Sequence, residues 1–261
     1  ATSNICEGIL HFHSRTMDNF DQAVGFNTMN SFLDDDDLRL FESRHKPDLA
    51  REILGIKHND LDATSLELTA VDLNEVASRR LGYILGINTH VKSLVLIRCN
   101  LDVVGLCVGL QNNQCIEKLW LVGIDFRDTD KLNSLALILG GNPSLKDITL
   151  QTCSLGPVSI NILSNAFSNC SEDTLEFLSL SGNHFSDVDL DELIRALSRN
   201  RRLWWLQLSD CEIGQRGCAS LASLSLLENQ ESSLQYLHLH RNSIDDESAI
   251  VLAASLAKNN K

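Results

Sequence analysis

The sequence predicts an α/β fold, a curved solenoid with a parallel sheet on its concave face and helices on its convex face. Two observations carry the prediction. An apolar-x-Leu pair recurs seven times, with first members at 66, 94, 119, 148, 178, 206 and 237. Stretches between the pairs place apolar residues at i, i+3, i+4 and i+7, which is one face of a helix.

The strand element comes first. The pattern apolar-x-x-apolar-x-Leu-x-x-(Asn/Cys/apolar)-x-apolar starts at Ala63, Val91, Ile116, Leu145, Leu175, Leu203 and Leu234. Its inner period of two marks a strand with one buried face. The helical element follows, as in Val103, Leu106, Cys107 and Leu110, or Leu132, Leu135, Ala136 and Leu139. Leu190, Leu193, Ile194 and Leu197 repeat the spacing, as do Ala249, Leu252, Ala253 and Leu256. One strand and one helix cannot bury their faces alone, whereas stacked copies share a continuous core. A helix is wider than the ~4.8 Å strand spacing, so the stack curves with the strands inside. Asn88, Asn112, Asn142, Asn169, Asn200 and Asn229 follow the helical runs. Asn tolerates the left-handed conformation that ends a helix, so these six are read as helix stops.

The repeat resembles that of the leucine-rich-repeat family. Its ninth position, Cys in Cys99, Cys153 and Cys211 and Asn in Asn183 and Asn242, is similar to the ribonuclease-inhibitor-like subfamily, as is the repeat length. The likeness covers 63–258 and divides the chain into seven repeats over 63–261 and a less regular 1–62. Leu38 and Leu40 lie 28 residues before Leu66 and Leu68, and Leu10 and Phe12 another 28 before those. Residues 1–62 are therefore read as a divergent N-terminal cap or two degenerate repeats, with the four-Asp run at 34–37 as a solvated loop. The resemblance implies a non-catalytic protein-interaction scaffold. An alternative it allows is a GTPase-activating protein of the Ran-activator type, for which Arg98 and Arg241 at the eighth position are the candidates. Another is the sensor portion of a larger receptor.

Composition narrows the partner. Twenty-two basic against 35 acidic residues give a formal charge of −13, which disfavours duplex nucleic acid and anionic membrane surfaces. No apolar run approaches the ~18 residues of a membrane span, and no secretory signal opens the chain. Cysteines at the turn position and on apolar helix faces (Cys107, Cys218) read as buried free thiols of an intracellular protein, cytoplasmic or nuclear. There is no Cys-x-x-Cys pair, so no metal site or cofactor is expected. Phosphate-binding, Gly-x-Ser-x-Gly and His-Glu-x-x-His motifs are absent, which argues against an enzyme.

Candidate binding residues follow from the strand period. The third, fifth and seventh positions of each repeat point off the sheet, away from the core. Phe177, Trp205 and Tyr236 share the third column in consecutive repeats and are expected to stand in solvent. Such a group fits an interface, and it also fits a stack that stabilises the ladder. Trp120, with Val95, Ile97 and Val122, forms a second group. His238 and His240 share one strand face, with Asp210 the nearest third metal ligand by repeat position; a polar face is the simpler reading. Asp187, Asp189, Asp245 and Asp246 gather where strands turn into helices. Carboxylates there cap helix N-termini, and they also form an acidic rim able to steer a basic partner. The last helical run, 249–256, leads to the chain end without another strand. The seventh strand, 234–239, is thus expected to be covered by further natural sequence, a partner or a second copy.

Overall fold

A computed structural model describes residues 49–170, 174–184, 186–223 and 233–257. The expectations placed on Leu10, Phe12, Leu38, Leu40, residues 34–37, Asn229 and 258–261 lie outside the described residues. The chain divides at Glu42, and every described residue belongs to the unit Ser43–Lys261.

Helix α1 (Leu49–Lys57) is the first described element of this unit. Seven strand–helix pairs follow: β1 (Ser65–Thr69) with α2 (Glu75–Ile87), β2 (Ser93–Ile97) with α3 (Val103–Leu110), and β3 (Lys118–Val122) with α4 (Thr129–Gly141). Next come β4 (Asp147–Gln151) with α5 (Pro157–Asn169), and β5 (Phe177–Ser179) with α6 (Asp187–Leu197). The last are β6 (Trp205–Gln207) with α7 (Gln215–Ser223), and β7 (Tyr236–His238) with α8 (Asp246–Leu256). The strands form one parallel sheet in chain order, β1 to β7. Register follows the repeat: Leu66 faces Leu94, Leu94 faces Leu119, and so on to Leu206 opposite Leu237. The architecture is the curved solenoid that the repeat predicts.

Burial explains the register. Leu66, Leu68, Leu94, Leu96, Leu119, Leu121, Ile148 and Leu150 are all inside, as are Leu178, Leu180, Leu206 and Leu208. Each buried side chain contributes roughly 1.5–3 kcal/mol, and a one-residue slip would turn them all to solvent. Helix starts are capped from the sequence. Asn74 accepts from the Ala77 amide, Ser186 and Asp189 form a capping box, and Pro157 opens α5.

Helix ends differ from the sequence reading. Asn88 and Asn142 have φ of −72° and −87°, so they are extended rather than left-handed. Their side chains do the work instead. The Asn88 Oδ1 accepts from the amides of His90 and Val91 while its Nδ2 donates to the Ile56 carbonyl of the preceding unit, at 2.7–2.8 Å. In the second repeat this bracket is made by Asn113, not Asn112: Nδ2 donates to Leu85 O at 2.6 Å, and Oδ1 accepts from Cys115 and Ile116. In the fourth it is Cys170, not Asn169, whose Sγ donates to Leu139 O at 2.9 Å. Each bracket ties one unit to the previous one, which is why these polar groups are placed inside the stack.

The last helix buries only part of the expected face. Ser248, Leu252 and Ser255 turn inward, while Ala249, Ala253 and Leu256 are exposed. Asp245 caps the Ser248 amide at 2.8 Å and its hydroxyl at 2.6 Å, and Ser255 Oγ donates to Ala222 O at 2.8 Å. These bonds cap the helix and tie it to the preceding repeat through two serines that apolar periodicity alone does not pick out.

Candidate binding face on the sheet

Position eight of every repeat is left-handed. Ala70, Arg98, Gly123, Thr152, Gly182, Asp210 and Arg241 have φ between 49° and 72°. The strand thereby turns sharply, and the ninth side chain enters the core. There Asn183 Nδ2 donates to Leu150 O and Leu180 O, both at 2.7 Å, while its Oδ1 accepts from the Cys153 and Leu155 amides. Asn242 repeats this set one repeat pair later. Cys153 Sγ donates to Leu121 O and Gln151 O, and Cys211 Sγ to Leu180 O and Ser209 O. All seven described cysteines are free thiols; Cys6 lies outside the described residues. Burial pushes Cys107 and Cys153 up to about 12, and Cys211 up to about 11. They are structural groups, poor as nucleophiles. Arg98 and Arg241 are exposed at this bend, with Arg98 N donating to Val122 O.

The open face of the sheet is set by the other positions. In the third column, Phe177, Trp205 and Tyr236 are neighbours across β5, β6 and β7, as the repeat predicts. Trp205 stacks on Tyr236 at 4.5 Å and on His238 at 5.0 Å, and lies 5.8 Å from Phe177. Only Tyr236 is exposed, at 47%, whereas Phe177 and Trp205 are half-buried. The expectation that all three stand in solvent is therefore corrected: rings at this spacing cover one another. Trp205 Nε1 is buried without an acceptor. Trp204 was not foreseen. It packs edge-on against both Trp205 and Tyr236, at 5.4 and 5.8 Å. Its signal was an aromatic in a second-position column that otherwise reads Thr64, Lys92, Glu117, Lys146, Glu176 and Gln235, all polar.

A second group centres on Trp120. Its Nε1 donates to Asp147 Oδ1 at 2.7 Å, and Lys118 Nζ lies 3.5 Å from its ring centroid. Burial raises the Asp147 carboxyl above its ordinary value, and the Trp120 hydrogen bond and Lys118 oppose that shift. Val95 is buried beside it, while Ile97 and Val122 are half-buried. Between the two groups runs a polar strip. Gln151 Nε2 donates to Ser179 Oγ at 2.8 Å and to Gln207 Oε1 at 3.3 Å. Ser209 Oγ meets His240 Nδ1 at 2.7 Å. His238 and His240 are thus engaged separately, one on a ring and one on a hydroxyl. Among the described residues no group of three His, Cys, Asp or Glu is placed to hold a metal.

The acidic residues at the helix starts serve the fold. Asp189 and Asp245 cap helices, as above, and Asp187 Oδ1 accepts from Gly214 N in the next repeat at 3.0 Å. Asp246 follows in the first turn of α8 and is exposed. No helix among the described residues is long and apolar enough to cross a membrane.

Comparison with known proteins agrees with this architecture. A family model described as Leucine Rich repeat matches residues 230–253. The chain is 29% identical over 240 residues to ribonuclease inhibitor from Sus scrofa, covering 90% of this chain and 52% of that protein. It is 30% identical over 173 residues to ribonuclease inhibitor from Mus musculus, covering 64% of this chain and 36% of that protein. The chain thus spans about half the length, or less, of the curated relatives it matches. Among solved structures, an internalin from Listeria monocytogenes is similar with a TM-score of 0.44 at 17% identity, covering 75% of this chain and 52% of that one. With seven in-register strand–helix units and the bracketing Asn and Cys side chains, the described residues form a leucine-rich-repeat solenoid, and the chain is similar to ribonuclease inhibitors.

Proposed function

We propose that the chain is a non-catalytic scaffold that binds a protein partner through the concave face of its sheet. The observation that carries this reading is the ring cluster of Trp204, Trp205, Tyr236 and Phe177, with Tyr236 still exposed. Aromatic anchors held rigid by their neighbours lose little entropy on binding, which favours them as interface centres. Trp120, fixed between Asp147 and Lys118, is a second such anchor. The partner is a protein: the relatives are named for inhibiting a ribonuclease. The acidic helix starts, Asp187, Asp189, Asp245 and Asp246, form a rim that steers basic surface on that partner toward the face. Free, buried thiols fit a reducing, intracellular compartment.

Two measurements test the reading. A ribonuclease activity assay with added chain asks whether the relatives' partner class carries over. Affinity capture with the full chain then supplies a partner whose binding is compared with that of Tyr236→Ala. The variant is expected to lose about 2 kcal/mol of affinity with folding stability changed by under about 1 kcal/mol. Unchanged affinity for every recovered partner would remove the concave face from the account.

A further inference from the structure

The sheet face also indicates what part of the partner it takes. Across β2 to β7, the third, fifth and seventh columns contain one Lys and one Asp, Lys118 and Asp147, and both are engaged by Trp120. In a chain of formal charge −13 this is a strip with no net charge, and its complement is an uncharged segment. The strip also offers unused hydrogen-bonding groups. Gln151 Nε2 is occupied by Ser179 and Gln207, and Gln207 Oε1 by Gln151. Gln151 Oε1 and Gln207 Nε2 make no hydrogen bond among the described residues. One acceptor and one donor held side by side match the N–H and C=O of a peptide backbone.

The spacing selects the conformation. From Trp120 on β3 to Trp205 on β6 is three strand steps, about 14 Å. An extended chain covers that in about four residues. A helix covers it in about nine, and its mid-segment backbone groups are already paired, leaving the two glutamines unanswered.

We propose that the partner is held by an uncharged, extended segment laid across the strands, its backbone hydrogen-bonded by Gln151 and Gln207. One large apolar side chain rests on the Trp120 group, and a second, about four residues away, rests on the Trp205–Tyr236 cluster. This rests on the concave-face reading and adds to it the chemistry of the bound segment.

The test uses a random 12-residue peptide display library panned on the full chain. Enriched peptides are expected to be uncharged, with two large apolar residues about four positions apart. A synthetic copy N-methylated in its centre loses the backbone donor. It is expected to bind about tenfold more weakly than the parent on the natural chain. On Gln151→Leu, the two should bind equally. Gln207→Leu, which removes the donor instead, keeps the preference for the parent but weakens both about tenfold. Circular dichroism checks that the variants fold, and both glutamines lie at the surface of the sheet. Failure to enrich any peptide, enrichment of charged or helical-period peptides, or indifference to N-methylation would overturn the inference. If peptides ignore the glutamines but lose affinity on Tyr236→Ala, the concave-face reading survives and only this inference falls. If they ignore Tyr236→Ala as well, both fall.

Discussion

At the scale of single residues, the two most exposed conclusions concern Trp205 and the thiols. Trp205 lies within a cluster of rings, so it acts as core although it stands on an outer face. Trp205→Ala is expected to cost about 3 kcal/mol of folding stability, and Tyr236→Ala under about 1, by urea denaturation. Equal, small losses would mean that the rings do not support one another. The thiols give a pH dependence. Cys107 and Cys153 are raised from 9.0 to about 12 by burial, so the folded chain holds their protons longer than the unfolded chain does. Their contribution is full below about pH 9 and is lost as pH rises toward about 12. Stability should therefore fall across that window, each thiol adding up to about 1.4 kcal/mol per pH unit. Cys153→Ala should show a shallower fall, and an unchanged slope would show that the thiol does not titrate with unfolding. Single residues were also where sequence reading was weakest. Asn112 and Asn113 are indistinguishable by spacing, and only the side-chain bracket to Leu85 O picks the second. Thr152 in a left-handed bend carries no signal, because a β-branched residue there is disfavoured and only the stack imposes it.

At the scale of elements, the strands were legible and the helices partly so. Strand positions follow from Leu-x-Leu because both leucines must be buried at period two. Helix α1 was not foreseen, although Leu49, Ile53 and Ile56 have helical spacing, because no regular strand signal accompanies it. The contact between α2 and α3 was hidden too. A Cβ added at Gly82 would stand 2.3 Å from Leu106 O, and one at Gly109 2.0 Å from Gly82 C. The two helices therefore touch backbone to backbone, which suits the short 25-residue step between Leu94 and Leu119. Gly109→Ala must push them apart and is expected to cost roughly 2–3 kcal/mol. Thermal unfolding checks it, with Gly141→Ala as the control, since nothing lies within 4 Å of a Cβ there. Similar melting temperatures for the two variants would contradict the close contact.

At the scale of the whole molecule, the described repeats present one continuous sheet face. Side-chain brackets between units, such as Asn88 to Ile56 and Asn113 to Leu85, hold neighbouring repeats in fixed register. Columns of side chains thereby become rows on the sheet, and rows become the two ring groups. The grouping of Phe177, Trp205 and Tyr236 was legible from repeat arithmetic. Their mutual burial, the arrival of Trp204 and the pairing of Gln151 with Gln207 across Ser179 depend on side-chain directions that spacing does not encode. Hydroxyl-radical footprinting of the full chain, alone and with its captured partner, tests the central claim most directly. Binding through the concave face predicts that oxidation of Tyr236 and Trp120 drops on complex formation while Leu137 and Val158, exposed on helices α4 and α5, are unchanged. Protection of Leu137 and Val158 with Tyr236 and Trp120 unaffected would place the partner on the helical side and contradict the account.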